Sequence, residues 1–86
     1  MSFFYFRILY DRQHYRLKAE RIYLDAVHER YRIYSKSSNM VIESNRPAFR
    51  NRGLRYVRPE WKIIEGHQKW HMLFDAIVKE VMNVLK

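Results

Sequence analysis

Apolar and polar positions alternate near the start of the chain. Phe4, Phe6, Ile8 and Tyr10 interleave with Tyr5, Arg7, Leu9 and Asp11, and a period of two predicts a β-strand. The polar run Asp11-Arg12-Gln13-His14 permits a turn. Tyr15, Leu17 and Ala19 then alternate with Arg16, Lys18 and Glu20, which predicts a second strand paired to the first as a hairpin. Residues 19–31 fit two patterns. Ala19, Ile22, Tyr23, Ala26, Val27 and Tyr31 make a helical stripe. β-Branched and aromatic content favours instead a strand to about Tyr23, a turn near Leu24-Asp25-Ala26 and a third strand from His28 to Ser35. In that reading Tyr31 and Ile33 face inward, with Arg30, Arg32 and Tyr34 outward.

Lys36-Ser37-Ser38-Asn39 is a turn by composition, and Met40 to Glu43 a short fourth strand. Pro47 and Pro59 lack the N–H that a central strand needs. Residues 44–60 therefore read as an ordered loop with a helical turn near 48–52, in which Gly53 supplies a positive φ. Loops of this length are usually functional or disordered, and Phe49, Leu54, Tyr56 and Val57 argue against disorder. Trp61 to Glu65 reads as a fifth strand ended by Gly66. From about residue 67 to 86, Trp70, Leu73, Phe74, Ile77, Val78, Val81, Val84 and Leu85 follow helical spacing. The expected fold is α+β: one domain over residues 1–86, an antiparallel meander of four to five strands with one C-terminal amphipathic helix on one face.

Length changes this picture little. A chain of 86 residues suits one domain and buries only about 60–65% of its unfolded surface. An oligomer or a partner would add stability. Cysteine is absent, which excludes disulfides and thiolate metal sites and fits a reducing compartment. The N-terminal apolar run is interrupted by Arg7 and lacks the features of a signal peptide. No apolar window reaches the length of a membrane span, so the expectation is a cytoplasmic protein without membrane contact.

Charge changes it more. The net charge is +8, and eleven of the seventeen cations are arginine. Arg46, Arg50, Arg52, Arg55 and Arg58 fall between Ser44 and Arg58 with no acid among them, and carry +5 of the +8. Arginine matches phosphate geometry bidentately and stacks on aromatic rings. If the helix covers the face bearing Phe4, Phe6, Ile8, Tyr15, Leu17, Ala19, Tyr31 and Ile33, alternation leaves Tyr5, Arg7, Leu9, Arg16, Lys18, Glu20, Arg30, Arg32 and Tyr34 on the other. Cations interleaved with tyrosines on a sheet suit single-stranded nucleic acid. They also suit an ordinary solvated sheet face. The element order, strands then a C-terminal helix, is similar to that of Whirly and PUR-type single-stranded nucleic-acid modules, and the resemblance is one of architecture.

The expected function is thus a small basic binding module for single-stranded nucleic acid or another polyanion. Its expected contacts are Arg46, Arg50, Arg52, Arg55, Arg58, Arg7, Arg16, Lys18, Arg30, Arg32, Tyr5 and Tyr34. The alternative is a protein-interaction module, as a homodimer or docked to an acidic protein. Catalysis is a minor alternative. A metal-independent ribonuclease would draw on His14, His28, Arg12, Arg30 and Glu29, although no pattern fixes their geometry. His67 and His71 have two-ligand metal spacing, continued by Asp75, but a zincin needs Glu where the chain has Gln68. No cofactor and no metal are expected.

Overall fold

The computed structural model describes residues 3–36, 38–54, 57–66 and 68–85. The strands are β1 (Phe3–Tyr10), β2 (Gln13–Leu24), β3 (Glu29–Tyr34), β4 (Asn39–Ser44) and β5 (Trp61–Glu65). They form one antiparallel sheet in the order β1-β2-β3-β4-β5. Between β4 and β5 lies a short helix, α1 (Arg46–Asn51); after β5 come a 3-10 turn (Gln68–Met72) and the C-terminal helix α2 (Phe74–Leu85).

Each hairpin has a local cause. Tyr10 pairs with Gln13, so only Asp11 and Arg12 form the first turn, and their φ values are 50° and 63°. Two left-handed residues make the type I′ turn whose twist matches the flanking strands. The second turn is built on Asp25, whose Oδ1 accepts the backbone N–H groups of Val27 (2.7 Å) and His28 (2.6 Å). That side chain supplies what a helix over 19–31 would have taken from its own backbone, and the strand–turn–strand alternative is the one adopted. Between Arg21 and Tyr23 the β2–β3 register shifts. The extra residue there, Ile22, resets the alternation so that Tyr23 shares a face with Arg30.

The core lies between one face of the sheet and the C-terminal segment. It comprises Phe6, Ile8, Leu17, Ala19, Tyr31, Ile33, Met40, Ile42, Trp70, Ile77 and Val81, with Phe4, Tyr15, Phe74 and Leu85 packed at its margin. The inward set expected from alternation is the observed one. At the end of β5, Gly66 has φ 141°, and a Cβ there would stand 2.6 Å from Met40 Cβ, so only glycine fits.

Two expectations about this half of the chain are corrected. The continuous helix from about 67 to 86 is instead a 3-10 turn that buries Trp70, followed by an α-helix that begins at Phe74. Val84, expected in the apolar stripe, is exposed, as is Met72. The segment expected to be mainly loop starts with a true helix. Pro47 sits in its first turn, where its fixed φ suits a helix and its missing N–H costs nothing. At its end Gly53 N–H donates to Arg50 O (3.1 Å) and Leu54 N–H to Phe49 O (2.9 Å). These are the two hydrogen bonds of a Schellman end, completed by the positive φ of Gly53 (70°). Asn45 closes the base of the segment: its Oδ1 accepts from Glu60 N–H (2.8 Å) and its own N–H donates to Glu60 O (3.3 Å).

Candidate nucleic-acid interface

Register decides which side chains meet on the uncovered face. Lys18 pairs with both Tyr5 and Tyr34, Arg7 with Arg16, and Glu20 with both Phe3 and Arg32. Tyr5, Arg7, Arg16, Lys18, Arg30, Arg32 and Tyr34 therefore share one face, as alternation implied. The Lys18 ammonium lies 4.6 Å from the centre of the Phe3 ring and 5.6 Å from that of Tyr34. Phe3 and Tyr5 stack edge to face at 5.9 Å. Tyr34 donates its hydroxyl to Glu20 Oε1 at 3.1 Å; its pKa is raised by burial first and by that hydrogen bond second.

The cations of this face are not equally free. Near β4 and β5, Arg30 Nε donates to Glu43 Oε2 at 2.8 Å and Lys62 Nζ lies 3.4 Å from Glu43 Oε1. The hydrogen bond from Arg30 is the main reason the Glu43 carboxyl is held below its usual range. Arg30 also covers the Tyr23 ring at 4.8 Å. Arg32 Nη1 donates to Asn39 Oδ1 at 3.0 Å. At the β1–β2 end the situation reverses. Arg7 and Arg16 stand directly opposite each other, and neither has an ion-pair partner among the described residues. Like charges directly opposite across strands are destabilising, so this corner carries an uncompensated positive field.

The arginine-rich segment is elsewhere. In an antiparallel meander the β4–β5 connection lies at the same end as the β2–β3 turn, and Asn51 Nδ2 donates to Ala26 O (2.9 Å) while Ala48 N–H donates to Val27 O (3.3 Å). The Arg7–Arg16 pair lies toward the opposite end. Within the segment, Arg46 is not free for phosphate. Its Nε and Nη2 bind Glu29 Oε2 and Oε1 at 2.6 and 2.9 Å, and its Nη1 reaches Leu85 O at 3.4 Å. Glu29 is fully buried (0% exposed) and also accepts the Tyr31 hydroxyl at 3.0 Å. The bond to this carboxylate raises the Arg46 pKa further, while burial, ahead of the Glu29 charge, pushes Tyr31 up to about 12. Arg50 and Arg52 are exposed. Arg58 borders a recess with Trp61, Phe74 and Asp75 on the helix side of the sheet. Arg55 lies outside the described residues.

The residues named for ribonuclease chemistry are scattered. His14 begins β2 and His28 follows its far end, a separation of about 30 Å at the rise of a strand. Glu29 is occupied by Arg46. Of the histidine row, His67 lies outside the described residues, and His71 is exposed on the 3-10 turn rather than on a continuous α-helix. Among the described residues no group of three or more His, Asp or Glu side chains is placed to hold a metal ion, and no helix is long and apolar enough to cross a membrane.

One ring on this face goes beyond the expected contacts. Phe3 is 53% exposed and lies beside Tyr5 and Lys18. Its signal was the same parity that placed Tyr5 and Arg7 outward. Comparison with protein-family models, with curated proteins and with solved structures finds no match.

Proposed function

We propose that the uncovered sheet face binds single-stranded nucleic acid. Arg7, Arg16, Lys18 and Arg32 meet phosphates, and Phe3, Tyr5 and Tyr34 offer rings on which unpaired bases stack. One observation carries this reading. Phe3 and Tyr5, 53% and 64% exposed, share a face with the Arg7–Arg16 pair, which has no carboxylate partner among the described residues. Solvation alone suits the cations but leaves two large rings in water. A strand of nucleic acid satisfies both, because each nucleotide brings one anionic group and one π face. Duplex hides its base faces and fits less well.

The test is fluorescence anisotropy with a labelled single-stranded oligonucleotide at several salt concentrations. Affinity should fall with salt at a log–log slope of roughly −0.7 per phosphate contacted. Tyr5→Ala should cost about 1–3 kcal/mol if a base stacks on it. Absence of binding at low salt would overturn the reading and favour an acidic protein as the partner of the face.

The β1 edge supports a second reading. β1 is eight residues long, and its outer side pairs with no other strand among the described residues. It presents Phe3, Tyr5 and Leu9 exposed. An unpaired apolar edge is a template for a strand of another chain, here a second copy added antiparallel. Sedimentation without nucleic acid decides it: a dimer mass that Leu9→Lys reduces to a monomer supports the edge, and a monomeric parent removes it.

A further inference from the structure

A cleft of about 600 Å³ opens where the β1–β2 hairpin and the end of β3 meet the 3-10 turn. Its size falls in the range of small-molecule sites. Tyr15, Trp70, Met72 and Leu73 give it aromatic and apolar walls, and His14, Arg16 and Lys36 give it basic ones. Among the described residues no carboxylate lines it. Lys36 follows β3, in the turn that Ser35 N–H closes by donating to Ser38 O (2.9 Å), and it borders the cleft together with Arg16. Neither makes an ion pair among the described residues. Trp70 is 2% exposed, and its indole N–H is buried without a hydrogen-bond partner among the described residues.

Flat apolar walls beside two unpaired cations specify an aromatic ligand that carries an anion. We propose that the cleft binds a nucleotide, with its base against Trp70, Tyr15 and Met72 and its phosphate between Arg16 and Lys36. The assignment rests on the nucleic-acid reading for the choice of a base over other aromatic rings. Arg16 joins the two sites: it lines this cleft and also a recess on the uncovered face with Tyr5 and Arg7. The terminal nucleotide of a strand lying on the sheet would therefore reach the cleft, and a free nucleotide has the same chemistry.

The experiment is calorimetric titration of the whole protein with adenosine 5′-monophosphate, uridine 5′-monophosphate, adenosine and inorganic phosphate at low salt. The monophosphates should bind, with adenosine and phosphate each at least about tenfold weaker, since each retains only one of the two recognised groups. Lys36→Glu should weaken the monophosphates about tenfold or more by setting a carboxylate against the phosphate, and Met72→Glu should weaken them similarly by putting a charge in the apolar wall that meets the base. Both positions are exposed, and thermal melting confirms that the variants fold. Oligonucleotides with and without a terminal phosphate separate the two sources. Tighter binding with the phosphate, lost in Lys36→Glu, marks a strand end; monophosphate binding with no such difference marks a free nucleotide. An end-blocked oligonucleotide that binds the parent while the monophosphates do not would overturn the cleft and spare the sheet face. Monophosphate binding untouched by both variants would also overturn it.

Discussion

Arg46 and Arg16 carry the same guanidinium and live under opposite rules. Arg46 is held at two of its three nitrogens by a fully buried carboxylate, and the third reaches the last turn of α2. It ties the β4–β5 segment to the sheet and to the helix. Arg16 faces Arg7 across two strands, with no carboxylate to answer either among the described residues. Charge density along the chain points to the Arg46 region, where five arginines fall with no acid between them in sequence. Partners in space point to the Arg16 region. A cation already bonded to a buried acid has little left to offer a ligand, so Arg46 is less available than Arg16, while Arg50 and Arg52 are exposed and, like Arg16, have no ion-pair partner among the described residues.

The largest effect that would break this contrast is at Arg46. Arg46→Ala leaves Glu29 buried without its partner, and an uncompensated buried charge costs about 3–5 kcal/mol. Urea unfolding should show that loss, and Arg46→Lys should recover only part of it, because an ammonium lacks the two-pronged geometry. A loss below 1 kcal/mol would mean that Arg46 is as free as Arg16. Next in size is the covered face. Ile77 is fully buried, and Ile77→Ala should destabilise by about 2–5 kcal/mol; an unchanged thermal midpoint would detach α2 from the sheet.

A smaller effect has the opposite sign. Arg12 holds a φ of 63°, a region that costs a side-chain-bearing residue roughly 1–2 kcal/mol. Arg12→Gly should therefore raise stability by about 1 kcal/mol, and a lower melting temperature would contradict the hairpin geometry. Asp25 governs a pH effect. Two backbone N–H groups and the Tyr23 hydroxyl hold its pKa down to about 2, the His28 N–H contributing most. A carboxyl depressed in the folded state contributes stability above its unfolded value, near 4, and loses it as pH falls through about 2. Glu43 acts in the same direction through Arg30, so Asp25→Ala should flatten part of the acid limb and leave the rest. An unaltered acid profile would remove Asp25 from the turn. The smallest stability change belongs to Arg7→Ala with Arg16→Ala: within about 0.5 kcal/mol of the parent, since no attractive pair is lost.

The contrast also shows what a sequence carries. Period two placed Phe6, Ile8, Leu17, Ala19, Tyr31 and Ile33 inward and Tyr5, Arg16 and Arg32 outward, because a strand's faces follow from parity once one face is buried. The helix at Arg46–Asn51 had its own signal, Pro47 at the start and Gly53 just past the end, which the density of arginine overshadowed. The 3-10 turn before α2 had none, since Trp70, Leu73 and Ile77 fit an α-helix equally well by spacing. In the sequence Glu29 is only a candidate for ribonuclease chemistry, and nothing in the local pattern marks it as buried. Its pairing with Arg46, seventeen residues away, is set by the return of the chain from β4, a tertiary fact that local pattern does not hold.

The central claim is that the sheet, not the arginine-rich segment, is the polyanion site. The direct measurement is the salt dependence of single-stranded oligonucleotide binding for two variants beside the parent. Arg7→Ala/Arg16→Ala/Lys18→Ala should shallow the log–log slope by about 2, three contacts at roughly 0.7 each. Arg50→Ala/Arg52→Ala, which removes exposed cations from the other region, should keep the parent slope. A parent slope retained by the sheet variant and lost by the segment variant would contradict the account.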